Sequence, residues 1–448
     1  MKKALLLLTA ALCTWTGQQA LAQTKITVFD KILFYDGYAA TVTEPVPANV
    51  IRHRNDLYAR KLTDQELQSI GDNLIMRVIV KASCDNYDRI GNVNLALVPK
   101  GATTYTPSQV SRIEIGRYIT PFMNKNKQPD TVPYQYNIGN VAHLLKESSI
   151  TANYDIWAEL ELFGVPYAAN NEVPGCAGRN DVFFGTLEFE TSGNMPVENN
   201  NVLIPLNFKK NLNNYDSTAT DTVGKTTRTI NFNVASNLTD ATLFLITSNH
   251  GANANGEEYN RRDHFIYFDG VQKLTYKPGS TSCEPFRKYN TQGNGIYGAN
   301  PRSDATWQSF SNWCPGDVIP IRTINLGPVA AGSHSFGIRV PSAVFANGEG
   351  YFPISVYLQG KTQGVLGVKE TPNTTINAQL FPNPTNGVLT ITAEERVQRI
   401  TVFNVLGQQV MTADNTDKID LSSLEAGVYW TRILFKNEAT LVRKVVRN

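Results

Sequence analysis

The sequence has no excess of either charge and contains few histidines and cysteines. Its 41 lysines and arginines nearly balance 39 aspartates and glutamates, and no basic stripe stands out, which argues against a nucleic-acid partner. The five histidines form no HxH or HExxH motif and the five cysteines form no CxxC pair, so we expect no bound metal. No GxSxG motif supports a serine nucleophile.

A hydrophobic run long enough to span a bilayer is also missing. The apolar stretch Ala4–Cys13 is too short for that purpose. It follows Lys2 and Lys3 and precedes a small-x-small sequence that ends at Ala22. Residues 1–22 are therefore predicted to be a signal peptide, and the chain from Gln23 is predicted to be exported and soluble.

Removal of the signal peptide would leave four cysteines, which are Cys84, Cys176, Cys283 and Cys314. An even number of cysteines in an exported chain favours two disulfides. The sequence by itself permits three pairings.

Helix signals are scarce. Thr63–Glu66 predicts a capping box that opens a short helix ending at Gly71. Elsewhere, short runs rich in β-branched residues, such as 73–81, 92–98 and 264–268, are separated by Gly, Pro, Asn and Asp. This pattern predicts an all-β fold of antiparallel sandwiches or jelly rolls. At roughly 150 residues per domain the length suggests about three domains, with polar boundaries at 194–201 and 361–377.

Carboxylates are the side chains best suited to carry chemistry in this sequence. The stretch Cys84–Arg89 lies between two predicted strands and contains Asp88; loops on a rigid sheet often carry function, although Asp and Asn also form ordinary turns. Glu159 and Glu258 each lie near an aromatic residue. Acids that meet in one cleft can divide general acid and base roles, because their environments separate their pKa values.

Residues 293–298 fit the pattern GxGxxG. They follow no clear strand and open no helix, so a flexible loop is predicted here rather than a dinucleotide site.

The C-terminal segment of about 70 residues contains several motifs in a fixed order. They are LFPNPTNG at 380–387, VLG at 405–407, DLSSL at 420–424 and AGVY at 426–429, followed by a basic end. The segment resembles the C-terminal sorting domain of type IX secretion cargo, a small Ig-like β-sandwich. The resemblance implies export through the periplasm and outer membrane by the type IX machinery, and a secreted or cell-surface location.

Four further segments occur together upstream: 27–31, Cys84–Arg89, Ile115–Phe122 and Trp313–Gly316. Over roughly Lys25 to Gln359 they resemble the peptide-N-glycosidase F family. This implies two adjacent eight-stranded antiparallel jelly-roll domains, 23–195 and 196–361, followed by a linker at 362–377 and the sorting domain at 378–448. It also implies hydrolysis of the amide between asparagine and the first N-acetylglucosamine of an N-glycan, with no metal or organic cofactor. The implied partners are N-glycoproteins or glycopeptides, and we expect a monomer.

The resemblance assigns roles by position. The implied catalytic residues are Asp88 at the scissile amide, Glu258 at the hydrolytic water and Glu159 orienting the sugar, in a cleft between the two domains. The implied substrate-binding residues are Tyr87, Arg89, Trp157, His250, Tyr259, Arg262 and Trp313. The pair Cys283–Cys314 matches a family disulfide, which leaves Cys84 to pair with Cys176.

Some family features are missing from this sequence. The family has an arginine shortly before its W-C-P-G motif, whereas residues 307–312 contain none, and Arg287 or Arg302 are the nearby substitutes. Glu161 replaces a family tryptophan, and Gly256 and Asn260 replace two cysteines that flank the second acid.

Two alternatives to the amidase remain. A non-catalytic glycan-binding or glycoprotein-binding protein would explain retained acids with altered binding groups. A copper monooxygenase could share a bilobal jelly-roll architecture, but the sequence lacks the histidine and methionine ligand sets.

Overall fold

The computed structural model describes residues 23–251, 256–308, 312–362, 378–405, 407–437 and 439–448. The predicted signal peptide, with Cys13, and the predicted linker beyond Thr362 lie outside the described residues. The described chain divides into two units, one ending at residue 362 and one starting at residue 378.

The first part of the first unit, residues 23–192, contains nine strands. They are β1 Thr24–Tyr35, β2 Val50–Arg54, β3 Leu57–Lys61, β4 Asn73–Ala82, β5 Ile90–Pro99, β6 Ser111–Ile119, β7 Thr131–Asn137, β8 Tyr154–Leu162 and β9 Asp181–Ser192. Four short helices connect them: α1 Asp64–Ser69, α2 Gly139–Leu145, α3 Ser148–Thr151 and α4 Tyr167–Glu172. A single 3₁₀ turn, Pro107–Gln109, precedes β6.

The second part of the first unit contributes nine more strands. They are β10 Asn201–Leu212, β11 Thr227–Val234, β12 Leu238–Thr247, β13 His264–Phe268, β14 Val271–Tyr276, β15 Val318–Ile319, β16 Arg322–Val329, β17 Gly332–Arg339 and β18 Phe352–Thr362. The helix α5 Asp304–Gln308 and two 3₁₀ segments, Glu284–Tyr289 and Ala346–Gly348, lie in the connections.

All strand pairs of the first unit are antiparallel, and they form four sheets in the described residues. The first part has a sheet of order β1-β9-β4-β7 and a sheet of order β15-β6-β5-β8-β3-β2; the second part has β10-β18-β12-β16 and β11-β17-β13-β14. The two-layered, nearly all-β architecture confirms the predicted fold class. The short strand β15 belongs to the second part of the chain but pairs with β6, so the first part's larger sheet is completed by the second part.

Period-two alternation builds the cores. In β4 the side chains of Leu74, Met76, Val78 and Val80 are fully buried, while their neighbours face the other side. This confirms the strand predicted at 73–81. Each half of the first unit has its own main hydrophobic cluster, one centred on the β4 and β9 side chains and the other on those of β12 and β18.

The capping box predicted at Thr63 is present. The Thr63 hydroxyl accepts the Glu66 N–H at 3.1 Å, and the Glu66 carboxylate accepts the Thr63 N–H at 2.8 Å. The helix that follows ends at Ser69, two residues before the predicted end at Gly71.

The second unit is a small sandwich of two antiparallel sheets with its own core. Its strands are β19 Ala378–Phe381, β20 Val388–Ala393, β21 Val397–Phe403, β22 Gln409–Asp414, β23 Lys418–Asp420, β24 Gly427–Phe435 and β25 Thr440–Arg447. Among the described residues, no helix is both long and apolar enough to cross a membrane.

Candidate active site

A buried carboxylate sets the conformation of the loop that carries Asp88. Asp85 accepts the N–H groups of Tyr87 at 2.9 Å and of Val165 at 2.7 Å, and its side chain pairs with the Arg89 Nε at 2.7 Å. The disulfide Cys84–Cys176 ties the same loop to the segment after α4. The loop between β4 and β5 is therefore held from both sides, and Asp88 is held with it.

Glu258 is held by its neighbours in the second half of the unit. The Asn312 side-chain amide donates to the carbonyl oxygens of Glu257 at 2.8 Å and of Glu258 at 2.5 Å. The buried Glu257 carboxylate pairs with Arg262 at 2.9 Å and accepts the Val344 N–H at 2.7 Å. Arg262, which was predicted to bind substrate, therefore stabilises this loop. It does not line the cleft that contains Asp88 and Glu258.

The side chains of Asp88 and Glu258 line one cleft of about 500 Å³ in the first unit. Its wall takes residues from both halves of the unit, among them Arg89, Arg117, Glu161, Lys209 and His250. The volume falls in the range of small-ligand sites.

The acid pair has perturbed ionisation. Burial, followed by the negative charge of Glu258, raises the pKa of Asp88 to about 7. Burial also raises the pKa of Glu258, against hydrogen bonds from the Tyr259 hydroxyl and the Gly251 N–H that lower it. Asp88 therefore keeps its proton up to about neutral pH, and the charge of Glu258 favours this, which suits an acid role for Asp88 and a base role for Glu258.

His250 and Trp313 form a packed pair beside the acids. The rings lie 5.7 Å apart, and the Trp313 indole N–H donates to the Asn249 carbonyl at 2.9 Å. Burial and the nearby Arg117 charge lower the pKa of His250 to about 3, so its ring is neutral. Its Nε2 lies 2.8 Å from the Ser248 hydroxyl. His250 lines the cleft, whereas Trp313 is buried behind it.

Glu159 and Trp157 lie on β8 outside the lining of the cleft. The Glu159 carboxylate is fully buried and accepts hydrogen bonds from Asn94 at 3.0 Å, from the Tyr105 hydroxyl at 2.7 Å and from Arg112 Nε at 2.8 Å. The Trp157 ring packs against Tyr105 with centroids 5.5 Å apart. The structure therefore does not bring Glu159 to the acid pair as a third open carboxylate.

Glu161, two residues further along β8, takes that place in the cleft wall. Its carboxylate pairs with Lys209 and with Arg54, both at 2.8 Å. Burial would raise the pKa of Glu161, but the charges of Lys209 and Arg54 outweigh it and lower the pKa to about 2. Glu161 is therefore an ionised hydrogen-bond acceptor and not a proton donor.

Sequence reasoning assigned no role to Arg117, which stands in the Ile115–Phe122 motif. Its fully buried guanidinium pairs with Glu114 through two contacts of 2.7 Å and donates to the Ser248 hydroxyl and the Pro353 carbonyl at 2.8 Å each. It thereby connects β6 in the first half of the unit with the second half. Because β6 also contains Arg112 and Glu114, the charge of Arg117 gave no distinct signal, and its place in the motif was the available one. No sequence pattern indicated a role for Lys209, because it reaches the cleft at an irregularity in the pairing of β10 with β18.

Tyr87 and Tyr259 flank the acids but line a neighbouring cavity of about 420 Å³. Arg89 lies over the Tyr87 ring at 5.4 Å. Arg287 and Arg302 are not in the lining of the cleft: Arg287 pairs with Glu284 at 2.5 Å, and Arg302 lies over the Trp307 ring at 5.2 Å.

The second disulfide joins Cys283 to Cys314. In the part of the chain that is described, no three His, Cys, Asp or Glu side chains are grouped as metal ligands.

Three family models match the chain, and two of them describe parts of one family. Peptide-N-glycosidase F, N terminal, matches residues 25–177, and Peptide-N-glycosidase F, C terminal, matches residues 215–359. The secretion system C-terminal sorting domain matches residues 379–448. Among curated proteins none matches.

Solved structures are similar over 76% of this chain. PNGF-II has a TM-score of 0.55 at 20% identity, and the match covers 66% of its length. A peptide-N(4)-(N-acetyl-β-D-glucosaminyl) asparagine amidase has a TM-score of 0.49 at 16% identity, with 96% of its length covered. PNGase F, described as a glycosylasparaginase from Flavobacterium meningosepticum, has a TM-score of 0.48 at 16% identity, also with 96% covered. The likeness to PNGF-II shows a common fold.

Proposed function

The chain belongs to the peptide-N-glycosidase F family, and from this premise we propose that it is a peptide-N4-(N-acetyl-β-glucosaminyl)asparagine amidase. Its substrates are N-glycoproteins or glycopeptides, and its products are an intact glycan and an aspartate-containing peptide. The C-terminal sorting domain places the protein at the cell surface or outside the cell, where such substrates are met.

The acid pair Asp88 and Glu258 is the observation that supports this proposal most. Hydrolysis of an amide needs a base for the attacking water and an acid for the leaving nitrogen. The two carboxyls line the same cleft, come from different halves of the unit, and are coupled strongly enough that Glu258 raises the pKa of Asp88. A protonated Asp88 beside an ionised Glu258 would supply both groups at once.

In the proposed reaction the ionised Glu258 accepts a proton from a water molecule. At the same time the water oxygen attacks the side-chain carbonyl carbon of the glycosylated asparagine. Protonated Asp88 gives its proton to the amide nitrogen as the carbon–nitrogen bond breaks. The products are the aspartate carboxyl and a glycosylamine, and the proton on Glu258 returns to Asp88 or to solvent.

Neighbouring groups position this pair. Tyr259 donates to Glu258, which keeps one carboxylate oxygen oriented, while Arg89 and Arg117 supply positive charge at the cleft for the oxyanion that develops. Neutral His250 offers a hydrogen bond without a competing charge. We assign Glu159 a positioning role, because its contacts fix the strand on which Glu161 faces the cleft.

The test is mass spectrometry of a denatured N-glycoprotein incubated with the full chain. We expect a gain of about one dalton at each formerly glycosylated asparagine, with loss of most of the rate (~10²-fold or more) in Asp88→Asn and in Glu258→Gln. Asp263→Asn is the matched control, because this aspartate is half exposed and outside the cleft lining. An unmodified asparagine on several glycan types would contradict the amidase.

A non-catalytic glycan-binding protein is the second candidate. It is favoured by the absence of an arginine between Trp307 and Asn312 and by the engagement of Arg287 with Glu284. Glycan-array binding without any release of glycan from glycoproteins would support it.

A further inference from the structure

A second cavity lies beside the cleft and shares its acid-bearing loops. Tyr87 precedes Asp88, and Tyr259 follows Glu258; each tyrosine lines the cavity of about 420 Å³, while each acid lines the cleft of about 500 Å³. The two chain segments therefore pass from one cavity into the other at the acid pair. A substrate that is cut between the acids would extend into both spaces.

The walls of the two spaces differ in chemistry. The cleft has seven charged residues in its lining, including Arg89, Glu161 and Lys209, beside three aromatic rings. Such walls suit a sugar core, whose hydroxyl groups need many hydrogen bonds. The second cavity presents rings and one aliphatic side chain together with amides: its wall includes Tyr87, Phe122, Tyr259, Ile296, Asn86, Gln292 and Asn294. Apolar surface mixed with amide groups suits a polypeptide segment.

One fixed charge lies in the second wall. Glu172, the last residue of α4, accepts hydrogen bonds from the side-chain amides of Asn86 at 2.7 Å and Gln292 at 3.3 Å, both through Oε2. The amides orient the carboxylate without neutralising it, and no salt bridge to it is formed among the described residues. A cationic side chain entering the cavity would therefore meet an oriented carboxylate.

Residues 293–296, part of the GxGxxG segment noted in the sequence, form one wall of this cavity. Gly293 and Gly295 line the cavity, and a Cβ added at either would meet no atom within 4 Å. These two positions therefore add no side chain to the wall and have room to accept one.

We propose that this second cavity binds the polypeptide side of the substrate and that Glu172 makes it favour a basic residue next to the glycosylated asparagine. This rests on the proposed amidase function and adds a peptide preference to it. In this arrangement the glycan occupies the cleft lined by Glu161 and Lys209, and the scissile amide lies between them at Asp88 and Glu258.

The test uses two synthetic glycopeptides that carry the same di-N-acetylglucosamine and differ in both residues next to the asparagine, lysine in one and glutamine in the other. We expect kcat/KM to be about two- to fivefold higher for the lysine peptide, the range for one solvated ion pair. This gain should come from a lower KM for the lysine peptide. In Glu172→Gln the ratio should fall to about one, whereas Glu44→Gln, a change at an exposed glutamate outside both cavities, should keep it.

A matched pair of glycine substitutions tests the location. Gly295→Leu should raise KM for both glycopeptides because it obstructs the cavity, whereas Gly298→Leu should not, since Gly298 has equal free space but does not line the cavity. Free di-N-acetylglucosamine should inhibit both variants at the same concentration, because it occupies the other space.

Equal kcat/KM for the two peptides in the native chain, or a ratio that survives Glu172→Gln, would overturn the peptide site while leaving the amidase intact. Release of glycan from neither peptide would refute the amidase instead. Equilibrium binding of the same glycopeptides would then decide the site: a lysine preference that Glu172→Gln removes supports it, and no preference overturns it.

Discussion

Asp88 should destabilise the folded protein at neutral and alkaline pH, and Asp88→Asn should relieve that cost. The pKa of Asp88 rises from an ordinary value of 3.8 to about 7 on folding, mainly because the carboxyl is buried and secondarily because Glu258 is charged. A raised folded-state pKa means that the folded protein binds the proton more tightly than the unfolded chain. The contribution of Asp88 to stability is therefore fully present below about pH 4 and is lost as the pH rises through 7.

The magnitude follows from the size of the shift. About three pKa units at roughly 1.4 kcal/mol per unit give an upper value of about 4 kcal/mol for the ionisation of Asp88 above pH 7. Asn has nearly the same shape and no charge. We therefore expect Asp88→Asn to be more stable than the native chain by about 2–4 kcal/mol at pH 8, with this gain shrinking to near zero at pH 4.

The assay is denaturant unfolding of the two proteins between pH 4 and pH 8.5, followed by tryptophan fluorescence. Asp263→Asn, at a half-exposed aspartate, should show no pH-dependent gain. A gain for Asp88→Asn that is equal at pH 4 and pH 8, or a loss at pH 8, would refute the burial argument. This test needs no substrate and stands apart from the amidase proposal.

Three other outcomes are expected. Glycan release by the native chain should slow as the pH rises above about 7, because Asp88 then lacks the proton that it gives to the leaving nitrogen; an initial-rate profile that rises through this range would reverse its role. Arg117→Met should cost about 3–5 kcal/mol in denaturant unfolding because it leaves the buried Glu114 unpaired, and Glu114→Gln in the same chain should restore part of the loss. Replacing Cys84 and Cys176 by serine removes a cross-link across 92 residues and should cost about 4–5 kcal/mol in denaturant unfolding on chain-entropy grounds, while a cost below 1 kcal/mol would contradict the chain-entropy argument.

Much of the fold could be predicted because short-range chemistry determines it. Alternation at 73–81 and the capping box at Thr63 each specify local structure through neighbours in sequence, and both were confirmed. Pairing between distant strands is different. The addition of β15 to the sheet of β6 joins residues about 200 positions apart, and two residues of strand carry no pattern that reveals it.

The predicted site residues likewise fall into two groups, those that line the cleft and those that do not. Asp88 and Glu258 lie in one cleft, and His250 with them, but Glu159 and Trp157 lie outside its lining. A motif gives the type of a residue and its place on a strand. The surroundings of each β8 side chain depend on its partners: Arg112 and Tyr105 donate to Glu159, whereas Lys209 pairs with Glu161 in the cleft wall. Tyr105 lies in the connection between β5 and β6, and Arg112 and Lys209 lie on other strands, so no pattern within β8 predicts these partners.

The shared edge between β15 and β6 has a consequence for dissection of the molecule. A fragment that ended near residue 195 would leave β6 with a bare edge, a template for pairing with other chains, and would leave Arg117 without its Ser248 and Pro353 acceptors. The two halves are therefore expected to be inseparable as soluble products. Split-protein designs, co-expression of halves and circular permutation should succeed only where both halves meet during folding.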